Sequence, residues 1–265
     1  MQCCNLVEGR PGMTITIAIN NQKGGVAKTT TCLSLGACLA EMGKMVLLID
    51  MDPQTNLTLS FGLEPNKLSR MVGDVLLGNS SLVSASRESG VFGLDIVPAQ
   101  RGLALLNKIL YERQNYEFCL KRGLDDMGEN LYDVVLIDSP ASLDVLTLNA
   151  LTAADLLIVP VQCEYYAAHS LHQTMDLVKL VRKRTNPRLI YRALVTMYDR
   201  RNRICRIMLD QMRRDLRTIL FETIIEVDTK LKESPVFHQP ITLYAPETRG
   251  AQQYRAFAKE LMNHG

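Results

Sequence analysis

Residues 23–30 read Lys23-Gly24-Gly25-Val26-Ala27-Lys28-Thr29-Thr30. Glycines let backbone N–H groups curl around phosphate oxygens, and a helix N-terminus that follows adds positive potential. A lysine at the start of such a helix can reach the β- and γ-phosphates of a nucleotide, and the next hydroxyl can sit on Mg2+. Those roles fall to Lys28 and Thr29. Three acids could complete the chemistry. Asp50 and Asp52 stand one residue apart at the end of the run VLLID. One could order the waters of a metal ion, and the other could orient an attacking water. Asp138 ends the apolar run YDVVLID, where a carboxylate can hold Mg2+, usually through water. A strand-ending Asp can also simply form a turn, and Asp50 suits that role as an Asx-type cap.

These residues need a scaffold that brings strand ends together. Residues 15–20 (ITIAIN) predict a buried strand, 29–41 a helix with Leu33, Gly36, Ala37 and Ala40 on one face, and 46–50 a second strand. Strand, loop, helix, strand in that order implies a parallel βαβ unit. The alternation continues. Strands are predicted at 94–97, 132–138, 156–161, 191–197 and 222–227. Helices are predicted within 101–122 and at 143–151, 167–184, 204–220 and 249–262. The expected fold class is α/β, a doubly wound, mostly parallel sheet with helices on both faces. Residues 1–12 read as an irregular arm and 13–265 as a single domain built around the phosphate loop.

Composition narrows the function. The 265 residues are 47% hydrophobic and 22% charged, an ordinary globular balance. The net charge is only +2, but residues 179–217 hold thirteen Lys/Arg against three acids. That stretch carries +10 and the remainder −8, which suggests a basic face on an acidic body. The seven cysteines include no metal-spaced pair. Their odd number, with no secretory signal, fits reduced thiols in a cytoplasm. Cys32 and Cys38 fall in an apolar helix pattern as small core residues. No apolar run approaches the ~20 residues of a membrane span.

The glycine loop departs from the usual G-x-x-x-x-G-K-[ST], which would need glycines at Gln22 and Ala27. It matches the deviant form K-G-G-x-x-K-T-[ST] instead, and so resembles the ParA/MinD family of ATPases. In that family the extra lysine, here Lys23, reaches across a dimer interface to the other subunit's ATP. Residues 50–56 resemble the D-x-D-P-Q-x-N segment of ParA/Soj proteins, which implies that Asp52 supports hydrolysis. Ser139-Pro140-Ala141 stands where the family often has Pro-Pro and senses the γ-phosphate. Residues 148–171, with Cys163 and the Tyr165-Tyr166 pair, resemble the ParA/Soj branch in particular, as do 194–201 and 240–254. The resemblance runs over nearly the whole chain from Met13. It breaks at Glu226-Val227-Asp228, where the family has the Pro-Arg-Asn that approaches adenine, although a basic residue survives at Lys230.

The resemblance implies ATP and Mg2+ as cofactors and a homodimer in the ATP state. It implies non-specific DNA binding and a ParB-like or other adaptor that stimulates hydrolysis. Arg201 and Lys230 would lie on the DNA face, with Arg203 and Arg206 also able to neutralise phosphates; such contacts position a protein without reading sequence. The expected location is cytoplasmic, nucleoid-associated with ATP. One alternative is a MinD-type membrane-associated ATPase, which needs an amphipathic C-terminal helix. Ala251, Tyr254, Phe257, Ala258, Leu261 and Met262 recur at helical spacing, but Glu260 and His264 are poor anchors. The helix is expected on the domain core, with no stable membrane anchor. A nitrogenase-iron-protein-like or amidoligase-like enzyme is the other alternative, and the neighbourhoods of Cys119 and Cys163 do not suit a shared cluster.

Overall fold

Aliphatic runs buried on both faces become the sheet. In the computed structural model the described residues are 14–128, 131–164 and 167–263, less the side chains of 167–170. The arm at 1–12, Tyr165-Tyr166 and His264 lie outside them. The strands are β1 (Ile15–Ile19), β2 (Val46–Asp50), β3 (Arg87–Val91), β4 (Leu94–Val97), β5 (Val134–Asp138), β6 (Leu156–Gln162), β7 (Ile190–Tyr198) and β8 (Leu220–Glu226). They form one sheet in the order β3-β4-β2-β5-β1-β6-β7-β8. Every described pairing is parallel except the β3–β4 hairpin. The doubly wound expectation is borne out.

The helices are α1 (Lys28–Glu41), α2 (Asn56–Leu59), α3 (Val72–Leu77), α4 (Leu82–Ala85), α5 (Leu103–Tyr111), α6 (Cys119–Asp125), α7 (Val145–Ala153), α8 (Ala167–Arg184), α9 (Arg203–Asp215), α10 (Thr229–Glu233), α11 (Ile241–Tyr244) and α12 (Arg249–Asn263). One face of the sheet packs α1, α2, α10, α11 and α12. The other packs α3 to α9. Gly36 lets α1 press close: a Cβ there would meet Leu48 Cδ2 at 2.7 Å. The apolar stripe of α12 is buried through Ala251, Tyr254, Phe257, Ala258 and Leu261. Phe257 meets Phe221 of β8 edge-on, with ring centroids 4.9 Å apart. That helix docks on the core, as expected. Among the described residues no helix is long and apolar enough to cross a membrane.

Two expectations are corrected. The helix foreseen over 204–220 stops at Asp215, and Leu220 already pairs with Ala193 as the start of β8. The basic stretch does not form one face. Each parallel crossover returns the chain to the opposite edge of the sheet. The α8 end, with Arg182, Lys183 and Arg184, and the α9 end, with Arg213 and Arg214, therefore lie by the amino ends of the strands. Arg200, Arg201, Arg203 and Arg206 lie by the carboxyl ends.

Candidate functional site

The loop between β1 and α1 turns through two left-handed residues, Gly25 (φ 73°) and Ala27 (φ 65°). Ala27 stands where the related pattern more often has glycine, and an L-residue in that conformation costs about 1–2 kcal/mol. The surroundings hold it there. Ala27 O accepts from Thr31 N–H at 2.9 Å and opens α1. Thr196 Oγ1 donates to Val26 O at 3.0 Å, and Gln162 Nε2 donates to Gly25 O at 2.9 Å. The ends of β6 and β7 thus clamp the loop from one side. Asn21 supports it from below, accepting from Lys23 N–H at 2.9 Å and donating to Pro160 O at 2.8 Å.

Strand register assembles the acids. Ile19 pairs with Asp138, and Asp138 pairs with Asp50. Two carboxylates therefore meet side by side at the carboxyl edge, directly beside the loop. Both are fully buried. Burial, and then the charge of Asp50, pushes the Asp138 carboxyl far above its ordinary range. Burial likewise raises Asp50, and its hydrogen bonds to Thr58 and Asp52 pull it part of the way back. Lys28 is only 9% exposed. Desolvation lowers its pKa, while Asp138 and Asp52 oppose the shift.

The two acids differ in what they already hold. Asp50 Oδ1 accepts from Asp52 N–H at 3.0 Å, and Oδ2 accepts from Thr58 N–H at 2.9 Å and Thr58 Oγ1 at 2.7 Å. It anchors the turn into α2, which is the cap its position also allowed. Among the described residues, both oxygens of Asp138 are buried without a hydrogen-bond partner, as are Ser139 Oγ and Asn20 Oδ1. The Thr29 hydroxyl draws the Asp138 pKa down without closing a bond of good geometry. A buried carboxylate with no partner calls for a cation. Hard oxygen donors facing a phosphate loop fit Mg2+.

Thr58 bears unusual weight here, because its hydroxyl donates to Asp50 and also accepts from Ala99 N–H at 2.9 Å. Thr58→Val removes both bonds and keeps the shape. It is expected to destabilise the protein by about 2–4 kcal/mol through unpaired buried groups. The check is the denaturant midpoint at unchanged slope. An unchanged midpoint would show that Asp50 does not depend on this hydroxyl.

A cavity of about 630 Å³ extends from the loop. Lys28, Thr29 and Asp52 line it, as do Glu226, Val227 and Asp228. Pro140, Ala141 and Ser142, the segment after Asp138, also line it. Tyr254 forms part of the wall and is fixed by a 3.0 Å hydrogen bond to Thr31. Asp52 is half-buried, with Oδ1 accepting from Gln54 N–H at 2.9 Å. Lys23 Nζ donates to Gln162 Oε1 at 3.2 Å and pairs with Glu164. Asp228 caps α10 through Lys230 N–H and also accepts from Gly250 N–H, both at 2.9 Å. Its side chain is thus committed to joining α10 to α12. Burial pushes the Cys163 thiol up to about 12, in keeping with a core role.

The basic residues gather just beyond this wall. Arg201 is 86% exposed and pairs with Asp199 at 3.1 Å. Arg203 and Arg206 follow on the exposed side of α9, and Arg206 donates to Arg200 O at 2.9 Å. Lys230 pairs with Glu233 at 2.7 Å. Because β7 and β8 end side by side, the structure brings these residues to one edge of the sheet.

Residues 14–191 match the family model described as AAA domain. Over 250 residues the chain is 42% identical to the sporulation initiation inhibitor protein Soj of Bacillus subtilis (strain 168), covering 94% of this chain and 98% of that protein. The chain belongs to the ParA/Soj family of P-loop ATPases. It is also 39% identical over 249 residues to the chromosome partitioning protein ParA of Caulobacter vibrioides, covering 93% of each. Among solved structures, cobyrinic acid a,c-diamide synthase from Mycobacterium smegmatis, with bound ATP analog and magnesium, matches with a TM-score of 0.81 and 38% identity. The match covers 95% of this chain and 96% of that one. Membership of the ParA/Soj family accords with the loop and acid pattern. The clamp residues Gln162, Thr196 and Asn21 were not singled out from the sequence. Their one signal is a polar residue at the carboxyl end of an apolar strand.

Proposed function

We propose that this chain is a ParA-type ATPase that positions a DNA or protein cargo by nucleotide-dependent attachment to DNA. The observation that carries the reading is the buried, unpartnered Asp138 carboxylate beside Lys28 and Thr29. The loop N–H groups and Lys28 bind the phosphates of ATP. Thr29 and Asp138 would hold Mg2+, which neutralises phosphate charge when bound. Asp52 orients the attacking water from the cavity wall. Ser139-Pro140-Ala141 carries the state of the terminal phosphate outward. Lys23 would leave Gln162 and Glu164 to reach a partner's ATP, so two subunits enclose two nucleotides in a homodimer. With Lys23 and Lys28 as the flanking cations, intrinsic hydrolysis is slow, and a ParB-like or other adaptor accelerates it. Arg201, Arg203, Arg206 and Lys230 bind DNA phosphates without reading bases.

The MinD-type alternative needs an apolar helix face for the membrane, and the face of α12 is buried against α1 and β8. An amide-forming synthase would need a second substrate for turnover. The deciding assay is binding to a random-sequence duplex without nucleotide, with ADP and with ATP, across a salt series. Binding only with ATP is expected, with a log–log salt slope of about −3 or steeper for four phosphate contacts. ATP turnover without any carboxylate acceptor should accompany it. Capture by anionic liposomes with no DNA binding would replace this reading with the MinD-type one. Turnover that required a carboxylate acceptor would replace it with synthase chemistry.

A further inference from the structure

The edge where β7 and β8 end carries an arrangement that hydrolysis does not use. Glu226 closes β8 opposite Tyr198 of β7. Its side chain is 18% exposed, and Glu226 lines the same cavity as Lys28 and Thr29. Arg249 Nη1 forms an ion pair with it at 3.0 Å, and Arg200 Nε lies 3.7 Å away. Gln253 Nε2 donates to the same carboxylate at 3.3 Å. Arg249 opens α12 and donates Nη2 to Val227 O at 3.0 Å. Asp199, held low chiefly by its bonds to Arg201, also feels the charge of Arg249. Three separate segments thus bring two guanidinium groups onto one carboxylate, beside the Asp199–Arg201 pair. This is also where the sequence departs from the family pattern, with Glu226 in place of proline.

We propose that Arg249 and Arg200 form a further phosphate-binding pair on the DNA face, and that Glu226 is the internal competitor that restrains them. The proposal rests on the DNA-binding reading above. A carboxylate and a phosphate ask for the same guanidinium donors in the same planar geometry. While Glu226 holds Arg249, a DNA phosphate must displace it to gain that contact. Partly exposed ion pairs of this kind are weak, so a phosphate can do so. Glu226 lines the same cavity as Lys28 and Thr29, so a nucleotide bound there would occupy the space beside it. DNA and nucleotide therefore share this residue, and the restraint depends on the nucleotide state.

The test compares the full chain with Glu226→Gln and Arg249→Gln for binding to a random-sequence duplex, in each nucleotide state and across salt. Glu226→Gln keeps shape and hydrogen bonding while removing the charge. It is expected to bind DNA roughly 3–10-fold more tightly at low salt, with the largest gain outside the ATP state. Arg249→Gln is expected to weaken binding and make the salt slope shallower by about one. Melting temperatures verify the fold. If Glu226→Gln fails to fold, Arg249→Gln and Arg200→Gln decide the matter through their slopes. Wild-type DNA binding that neither Glu226→Gln nor Arg249→Gln alters overturns this proposal alone. Absence of wild-type DNA binding in every nucleotide state overturns the reading beneath it, and this proposal with it.

Discussion

Lys28→Ala is expected to lower ATP turnover by roughly 10²–10³-fold, the usual loss when one preorganised donor to developing charge is removed. Lys28 is the buried cation of the site and stands against Asp138 and Asp52. Its Nζ is steadied by the Lys23 carbonyl at 3.3 Å, so the side chain lies along the loop before any phosphate arrives. Shortening it removes the positive charge that reaches the phosphates. It also removes a group that holds the Asp138 pKa down. Without it, less opposes the rise that burial and Asp50 impose on Asp138. Thermal melting with and without Mg-ATP separates the effects. Wild type should gain melting temperature with nucleotide, and the variant should gain little. A variant retaining more than a tenth of wild-type turnover would remove Lys28 from the role given to it.

The second large effect belongs to Asp52. Asp52→Ala is expected to cut hydrolysis by roughly 10²–10⁴-fold, the range for loss of a group that positions or deprotonates an attacking water. Nucleotide binding should persist, because the loop and Lys28 are untouched. An ATP-bound protein that cannot turn over should then stay on DNA, read as a slowed dissociation rate. Asp52 also accepts from Gln54 N–H, so alanine loosens the local turn as well. Asp52→Asn keeps that acceptor and removes the charge. If both variants lose turnover equally, the charge is what matters. If Asp52→Ala hydrolyses ATP at the wild-type rate, Asp52 has no part in handling the water. The contrast with Asp50 sharpens the test, since Asp50 binds Asp52 N–H and Thr58 and so anchors the segment that carries Asp52.

The two acids show how far the residues alone could be read. That a strand-ending carboxylate could hold a metal or merely cap a turn was open for Asp50, and its neighbours in sequence do not decide it. Thr58, eight residues on, occupies Asp50 Oδ2 by folding back as part of α2. For Asp138, no described residue donates a hydrogen bond to it, which supports the metal role proposed above. The antiparallel β3 escaped notice because RESGV is an edge strand with alternating half-exposed residues and no apolar run. The end of α9 was misplaced because the helical pattern of 204–215 continues into residues that β7 claims for its neighbour.

The phosphate loop, the strand–helix alternation and the P-loop fold were determined by the sequence itself, because each rests on local spacing. A glycine, lysine or hydroxyl at a fixed interval sets backbone conformation within a few residues, and apolar periodicity sets which face is buried. The tertiary structure alone decided which strand ends become neighbours. It placed Asp138 between Ile19 and Asp50, turned Gln162 and Thr196 onto the loop, and joined Glu226 to Arg200 and Arg249. It also divided one basic stretch between opposite edges of the sheet. The physical reason is that parallel strands are joined by long crossovers, so groups far apart in the chain meet at one edge while nearby groups are sent to opposite edges.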